Sequence, residues 1–197
     1  MVQKVTACLI TWKRPGNIAR IVEHLIQYDF IAEILIRDQE KMKNLKTYGR
    51  YHLGFKAEYE WLYVQDDDVI NHDLDKLYAE FATGNNRGIV HGAVEDSYRD
   101  LKKNMTFGDK QSCMTGFGAF IKREWLIKFV PYWSKYGHDE VMNRESDRIL
   151  SILLGTHHTP VICNIEHLKG YNDKNAMCQQ PDHLEMKKKA IKRALAL

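Results

Sequence analysis

Short apolar runs of strand type alternate along this chain with segments of helical period, an order that few folds accommodate. "KVTACLIT" (4–11) reads as a buried first strand. Ile18, Ile21, Val22, Leu25 and Ile26 then recur on one helical face, with Asn17 as the expected N-cap. "AEILIR" (32–37) is a second strand and "EWLYVQ" (60–65) a third. Asp73 can cap a helix whose face is Leu74, Leu77, Tyr78 and Phe81, ending near Gly84. "GIVHGAV" (88–94) and "CMTGFGAFI" (113–121) are expected strands, and "REWLIKFV" (123–130) and "SDRILSILLG" (146–155) expected helices. "PVICNI" (160–165) is a last strand, and a helix with Asp182 and Glu185 as its capping box closes the chain. Such alternation predicts an α/β fold, a mostly parallel sheet flanked by helices on both faces.

The 197 residues suffice for one domain with its own core, and 44% hydrophobic against 28% charged residues exclude a disordered chain. Cys8, Cys113, Cys163 and Cys178 form no CxxC pair, which argues against a zinc knuckle or a disulfide framework and for a reducing compartment. The N-terminal apolar run is too short and mixed for a signal peptide or a membrane span. A cytoplasmic protein is expected, in the host cytoplasm if the chain is viral. The net charge of +3 is uneven: residues 184–197, "LEMKKKAIKRALAL", sum to +4, leaving the other 183 residues at −1. The basic excess is a local feature of the tail.

In sheets of this kind ligands bind beyond the carboxyl ends of the strands. Thr11–Arg14, Arg37–Asp38 and Asp66–Asp68 would all sit on that edge. The aspartates follow the third strand directly, in "EWLYVQDDDV", and three adjacent like charges need a reason. Asp66 and Asp68, two residues apart, suit a hard divalent cation such as Mg²⁺ or Mn²⁺, whose shell substrate phosphates and waters complete. The alternative is a solvated strand-to-helix loop, and other Mg²⁺ enzymes place aspartates at strand ends too.

Five segments, in order over roughly residues 4–168, resemble the GT-A glycosyltransferases, especially the family 2-like group. "ITWKRPGNIARIVEHL" resembles the family's opening strand, Thr-x-x-Arg-Pro and helix, and "AEILIRDQE" its second strand ending at an acidic residue. "YGRYHLGFKAEYEWLYVQDDDV" resembles the segment that runs into the Asp-x-Asp motif, with Arg50 sixteen residues before Asp66. "TGFGAFIKREWL" resembles the acceptor-side glycine segment, and "RESDRILSILLG" the Glu-Asp-x-x-Leu segment of the catalytic base. Ser146 stands where the family usually has Glu, and the span between the aspartates and the glycine segment is short.

The resemblance implies a GT-A (Rossmann-like) domain over 1–180, followed by a basic helix over 181–197. It implies transfer of a sugar from a nucleoside-diphosphate sugar, with UDP expected, to an acceptor hydroxyl with inversion; a retaining outcome stays open. Mn²⁺ or Mg²⁺ would be held by Asp68 and Asp66, with His167 as a further ligand or else a hydrogen-bonded surface residue. Asp66 would also meet the ribose, and Asp67 the donor. Thr11 and Arg14 would line the nucleotide pocket, Asp38 would read the base, and Arg50 would touch nucleotide or diphosphate unless it is a solvated helix residue. Asp147 is the expected general base, with Glu145 as substitute; a carboxylate at a helix N-terminus is its alternative. Gly116, Phe117 and Gly118 would approach the acceptor, His157 and His158 read as loop residues, and Trp125 and Phe129 as core.

For the acceptor, the expectation is a hydroxymethylated base in DNA, with Lys187, Lys188, Lys189, Lys192 and Arg193 tracking phosphates. A glycan, a lipid-linked sugar or a small molecule is the alternative, as is an ordinary solvated tail or one lying on an anionic membrane. Two readings of other classes also stand: a metal-dependent nucleotidyltransferase releasing pyrophosphate, and a non-catalytic nucleotide-sugar-binding module.

Overall fold

A computed structural model describes residues 2–83, 88–95, 106–107, 110–155, 158–171, 173, 176 and 179–197. Gly84, His157 and Cys178, named above, lie outside the described residues. Strand β1 (Val5–Thr11) is buried at every residue because it lies inside the main sheet, under helices on both faces. Helix α1 (Pro15–Leu25) leads to the edge strand β2 (Ile31–Asp38), and α2 (Tyr48–Gly54) to β3 (Trp61–Val64). Then come β4 (Val69–Asn71), α3 (Leu74–Thr83), β5 (Val90–Ala93), the two-residue strands β6 (Thr106–Phe107) and β7 (Lys110–Gln111), and β8 (Ala119–Lys122). A 3₁₀ turn (Arg123–Lys128) runs into α4 (Phe129–Tyr136), followed by α5 (Glu140–Leu154), β9 (Thr159–Ile162), β10 (Ile165–His167) and α6 (His183–Leu195).

The main sheet has the order β2-β1-β3-β8-β5-β9. β8 runs antiparallel to both of its neighbours and the other strands are mutually parallel, which is the mostly parallel sheet expected. One core lies on each face. Leu62, Val64, Phe129, Tyr132 and Leu150 anchor the first, and Leu9, Ile21, Tyr63, Phe81 and Phe120 the second. Phe129 is fully buried, as expected of a core residue, and Trp125 is packed at the edge of both clusters. Helix α6 joins the first core through Ala190 and Met186. Cys8, Cys113 and Cys163 are buried free thiols. Among the described residues no helix is long and apolar enough to cross a membrane.

Several local expectations shift. Pro15, which has no N–H to satisfy, opens α1 two residues before Asn17. Asn17 is instead buried inside the helix, donating to the Asp67 and Lys169 carbonyls at 3.0 and 2.8 Å. Asp73 does precede α3, but its carboxylate accepts from the Asn164 N–H at 2.7 Å. Asp182 stands at the N-cap of α6 without a side-chain capping bond, because its carboxylate is engaged by Arg144. The run 160–165 splits between two sheets: β9 edges the main one, and β10 pairs antiparallel with β4, Ile165 opposite Asn71. Only the end of 113–121 is strand, since its glycines shape a turn ahead of β8.

Gly118 sits at φ +98°, a region closed to most side chains, and a Cβ there would press on the Tyr63 ring. Gly118→Ala is therefore expected to cost about 1–3 kcal/mol of stability, read as a lower urea midpoint at unchanged slope.

Candidate active site

A cavity of about 500 Å³ opens at the carboxyl ends of β1 and β3. Its floor carries Asp66, Asp67 and Asp68, brought there because β3 ends at Val64. Two arginines share the three carboxylates. Arg14, in the loop after β1, donates from Nη1 to Asp67 Oδ1 at 2.8 Å and Asp68 Oδ2 at 2.9 Å. Its Nη2 donates to the Gly170 carbonyl at 2.7 Å, tying the segment after β10 across the aspartates. Asp67 also accepts the Trp12 N–H at 2.9 Å. The Asp66 N–H donates to the Gly116 carbonyl at 3.0 Å, and a Cβ on Gly116 would collide with Asp66 Oδ2.

Burial, and then Asp66, push the Asp68 carboxyl up to about 7 against the opposing pull of Arg14. Burial raises Asp67 as well. This floor is therefore short of positive charge, which a hard cation would supply. Neither arginine meets Asp66 Oδ2 or Asp68 Oδ1. Among the described residues no three His, Cys, Asp or Glu side chains form a closed cage. Asp66 and Asp68 thus fit the kind of site in which one or two carboxylates share an ion with substrate phosphates.

Arg50, from α2, is wholly buried. It donates from Nη1 to Asp66 Oδ1 at 2.5 Å and from Nη2 to both oxygens of Asp147, at 2.9 and 2.8 Å. Tyr51 Oη donates to Asp147 Oδ1 at 2.9 Å and the Thr115 N–H to Oδ2 at 3.1 Å. Each Asp147 oxygen thus accepts twice, which fills a carboxylate's usual capacity. Burial works against its ionisation, but Arg50 and these donors outweigh that and hold Asp147 below the ordinary carboxylate range. Arg50 is no solvated helix residue. It joins the aspartate floor to α5.

Helix α5 is broken at Glu145 (φ −118°, ψ 25°), so Ser146–Asp147 do open a second helical segment. Thr47 Oγ1 meets the carbonyls of Asn143 and Arg144, each at 3.0 Å, and Ser146 Oγ at 2.9 Å, and so covers the break. Glu145 lines the cavity and is 4% exposed. Its Oε2 accepts from Arg148 Nε at 2.9 Å, and His183 Nδ1 lies 3.6 Å from Oε1. Burial raises the Glu145 carboxyl although Arg148 opposes it. The two candidate bases are therefore tuned in opposite directions.

Of the residues singled out in the sequence, Arg14, Arg50, Asp66, Asp67, Asp68, Gly116, Phe117, Glu145 and Asp147 all line this cavity. Others do not reach it. Asp38 faces outward, held below its ordinary range by Lys41, at 3.0 Å, and the Glu40 N–H. The next residue, Gln39, lines the cavity instead, since successive residues of a strand face opposite ways. Thr11 is buried outside the cavity, and its Oγ1 has no hydrogen-bond partner among the described residues. His167 lies exposed at the end of β10 with its ring 3.7 Å from that of Tyr171, and Gly118, against Tyr63, does not line the cavity.

Sequence reasoning missed Trp12, Gln39, Lys46, His91, Arg144 and Arg148. Lys46 Nζ and Lys13 Nζ lie 5.2 and 4.7 Å from the Trp12 ring centre, so a charged aromatic shelf forms one end. His91 Nε2 is 3.1 Å from His158 Nδ1; burial and then His158 hold His91 down to about 4, so it is neutral at pH 7. The "RESDR" spacing, with basic residues flanking Glu145 and Asp147, was the available signal for Arg144 and Arg148. In the tail, Arg193 is bound to Asp139 at 2.6 Å and to Tyr132 Oη at 3.2 Å, and Lys187 is half-buried. Lys188, Lys189 and Lys192 are the exposed ones of the five.

No family model and no curated protein matches the sequence. Solved structures do match its fold. A mannosyltransferase from Pyrobaculum calidifontis, in complex with GDP-Man and Mn²⁺, superposes with a TM-score of 0.66 at 14% identity. The match covers 98% of this chain, which spans 65% of the mannosyltransferase's length. Glucosyl-3-phosphoglycerate synthase from Mycobacterium tuberculosis, in complex with Mn²⁺, UDP-glucose and phosphoglyceric acid, matches at a TM-score of 0.56 and 10% identity. That match covers 98% of this chain and 79% of the synthase's. The chain has the fold of the GT-A-type glycosyltransferases.

Proposed function

We propose that the protein is a divalent-metal-dependent glycosyltransferase that moves a sugar from a nucleoside-diphosphate sugar to an acceptor hydroxyl. The observation that carries this reading is the aspartate floor: buried carboxylates under-supplied with positive charge, at the sheet edge of a fold whose solved neighbours hold Mn²⁺ and a nucleotide sugar. Asp66 and Asp68 would hold the ion, which supplies Lewis-acid stabilisation of the departing diphosphate. The shelf of Trp12, Lys46 and Gln39 would receive the nucleoside, in place of Asp38.

Of the two candidate bases, the geometry favours Glu145. A base needs a free lone pair and a proton affinity near working pH. Asp147 has its oxygens occupied and its acidity increased, whereas Glu145 is shifted the other way. The acceptor O–H would lose its proton to Glu145 as the oxygen bonds to the anomeric carbon and the bond to the diphosphate breaks, giving inversion. Asp147 would act through Arg50, holding Asp66 in place. A DNA acceptor requires a row of basic side chains along phosphates. With Arg193 paired and Lys187 half-buried, a compact acceptor suits this cavity better.

Three outcomes are expected. In a screen of GDP- and UDP-sugars with Mn²⁺, release of nucleoside diphosphate should be acceptor-dependent and fall at least about 100-fold in Asp68→Ala. Undiminished turnover in that variant removes the metal assignment. Because Asp68 keeps its proton up to about pH 7, protons and Mn²⁺ compete below that point. The Mn²⁺ Kd should accordingly rise about tenfold per pH unit on acidification below 7 and level off above it, as calorimetry would show. Glu145→Gln should lower kcat by about 10²–10⁴-fold while the affinity for Mn²⁺ and UDP holds; an unchanged kcat returns the base role to Asp147.

A further inference from the structure

The end of the cavity formed by α5 and α6 carries basic groups that transfer to a neutral acceptor would not need. Arg144 lines the cavity and is 8% exposed. Its Nη1 donates to both oxygens of Asp182 at 2.9 Å, but Nε and Nη2 are buried without a hydrogen-bond partner among the described residues. Idle donors on a buried guanidinium are costly, and few native sites keep them without a ligand to match. Arg148 is 5% exposed, also lines the cavity, and uses Nε on Glu145. From α6, His183 lines the same wall, with Lys187 one turn further on.

The local field is positive. Burial, then Arg148 and Arg144, lower the pKa of His183, and burial, then Arg148, lower that of Lys187. The nearby carboxylates are Glu145, which is shared with Arg148, and Asp182, whose side chain is 46% exposed; of the other carboxylates of α5 that line the cavity, Asp147 is held by Arg50, and Glu140 stands at the helix start. Two helices thus present basic residues in pairs four apart, Arg144 with Arg148 and His183 with Lys187, with Glu145 and Asp182 among them. Guanidinium groups in such a wall match tetrahedral oxyanions through forked, charge-assisted bonds.

We propose that this wall binds an anionic group on the acceptor, a phosphate monoester, and so selects phosphorylated acceptors. The inference rests on reading the cavity as a glycosyltransferase site. It assigns the wall to the acceptor because Glu145, the proposed base, lies between the two arginines in the chain. The donor diphosphate belongs to the floor, where Asp66 and Asp68 would hold its metal.

Calorimetry on the full chain tests this without turnover, using glycerol 3-phosphate and glycerol as probes, and Mn²⁺ with UDP as the donor control. Glycerol 3-phosphate should bind and glycerol should not. Arg144→Gln should weaken the phosphate probe about tenfold or more and leave Mn²⁺ and UDP unaffected. His183→Ala, on the other helix and 29% exposed in its side chain, should weaken it in the same direction should Arg144→Gln fail to fold. Equal binding of the two probes overturns the proposal, as does a loss of Mn²⁺–UDP affinity in Arg144→Gln that matches the loss for phosphate. Phosphate binding without any Mn²⁺–UDP binding instead defeats the glycosyltransferase reading and leaves the basic site standing.

Discussion

A guanidinium with no exposure to solvent holds this site together. Arg50 carries its charge into the interior, where an isolated ion would cost several kcal/mol, and meets carboxylates from both directions. Asp66 follows β3 and Asp147 belongs to α5, 16 and 97 residues along the chain from Arg50. The sheet edge, α2 and α5 are therefore aligned by one side chain. Lysine could not substitute, since a single ammonium cannot hold two carboxylates on separate nitrogens.

Much of the strand–helix order was legible because the inner strands are apolar on both faces and α1 and α3 show a 3.6-residue period. The seven-residue α2 is too short to show one, and 123–130, expected as one helix, is a 3₁₀ turn as far as Lys128. The aspartates were legible because charge at the end of an apolar run is conspicuous. Less could be read where a residue's neighbours come from distant chain. Asn17 has the composition of a cap, yet Pro15 can start the helix and the buried carbonyls of Asp67 and Lys169 need a donor. Asp38 looked like the base-reading acid, but side-chain direction alternates at the strand end and Gln39 faces inward. The β4–β10 ribbon was invisible because it pairs two three-residue strands far apart in sequence, one of them starting at the last residue of a run that reads as continuous.

Asp147 and Glu145, neighbouring carboxylates, are tuned in opposite directions. One is saturated with donors. The other is buried beside a single arginine contact and keeps an affinity for protons. Sequence alone could rank them only by motif position; how many donors each carboxylate already holds is visible only in the fold.

The break in α5 has a geometric consequence. In a continuous helix, side chains four apart are locked at a separation set by the backbone ladder. With non-helical dihedrals at Glu145, between them, Arg144 and Arg148 belong to different rods. The gap between the guanidiniums is then governed by Asp182 on one side and Glu145 on the other, so the seating of the last helix works as a vernier on the width of the pincer.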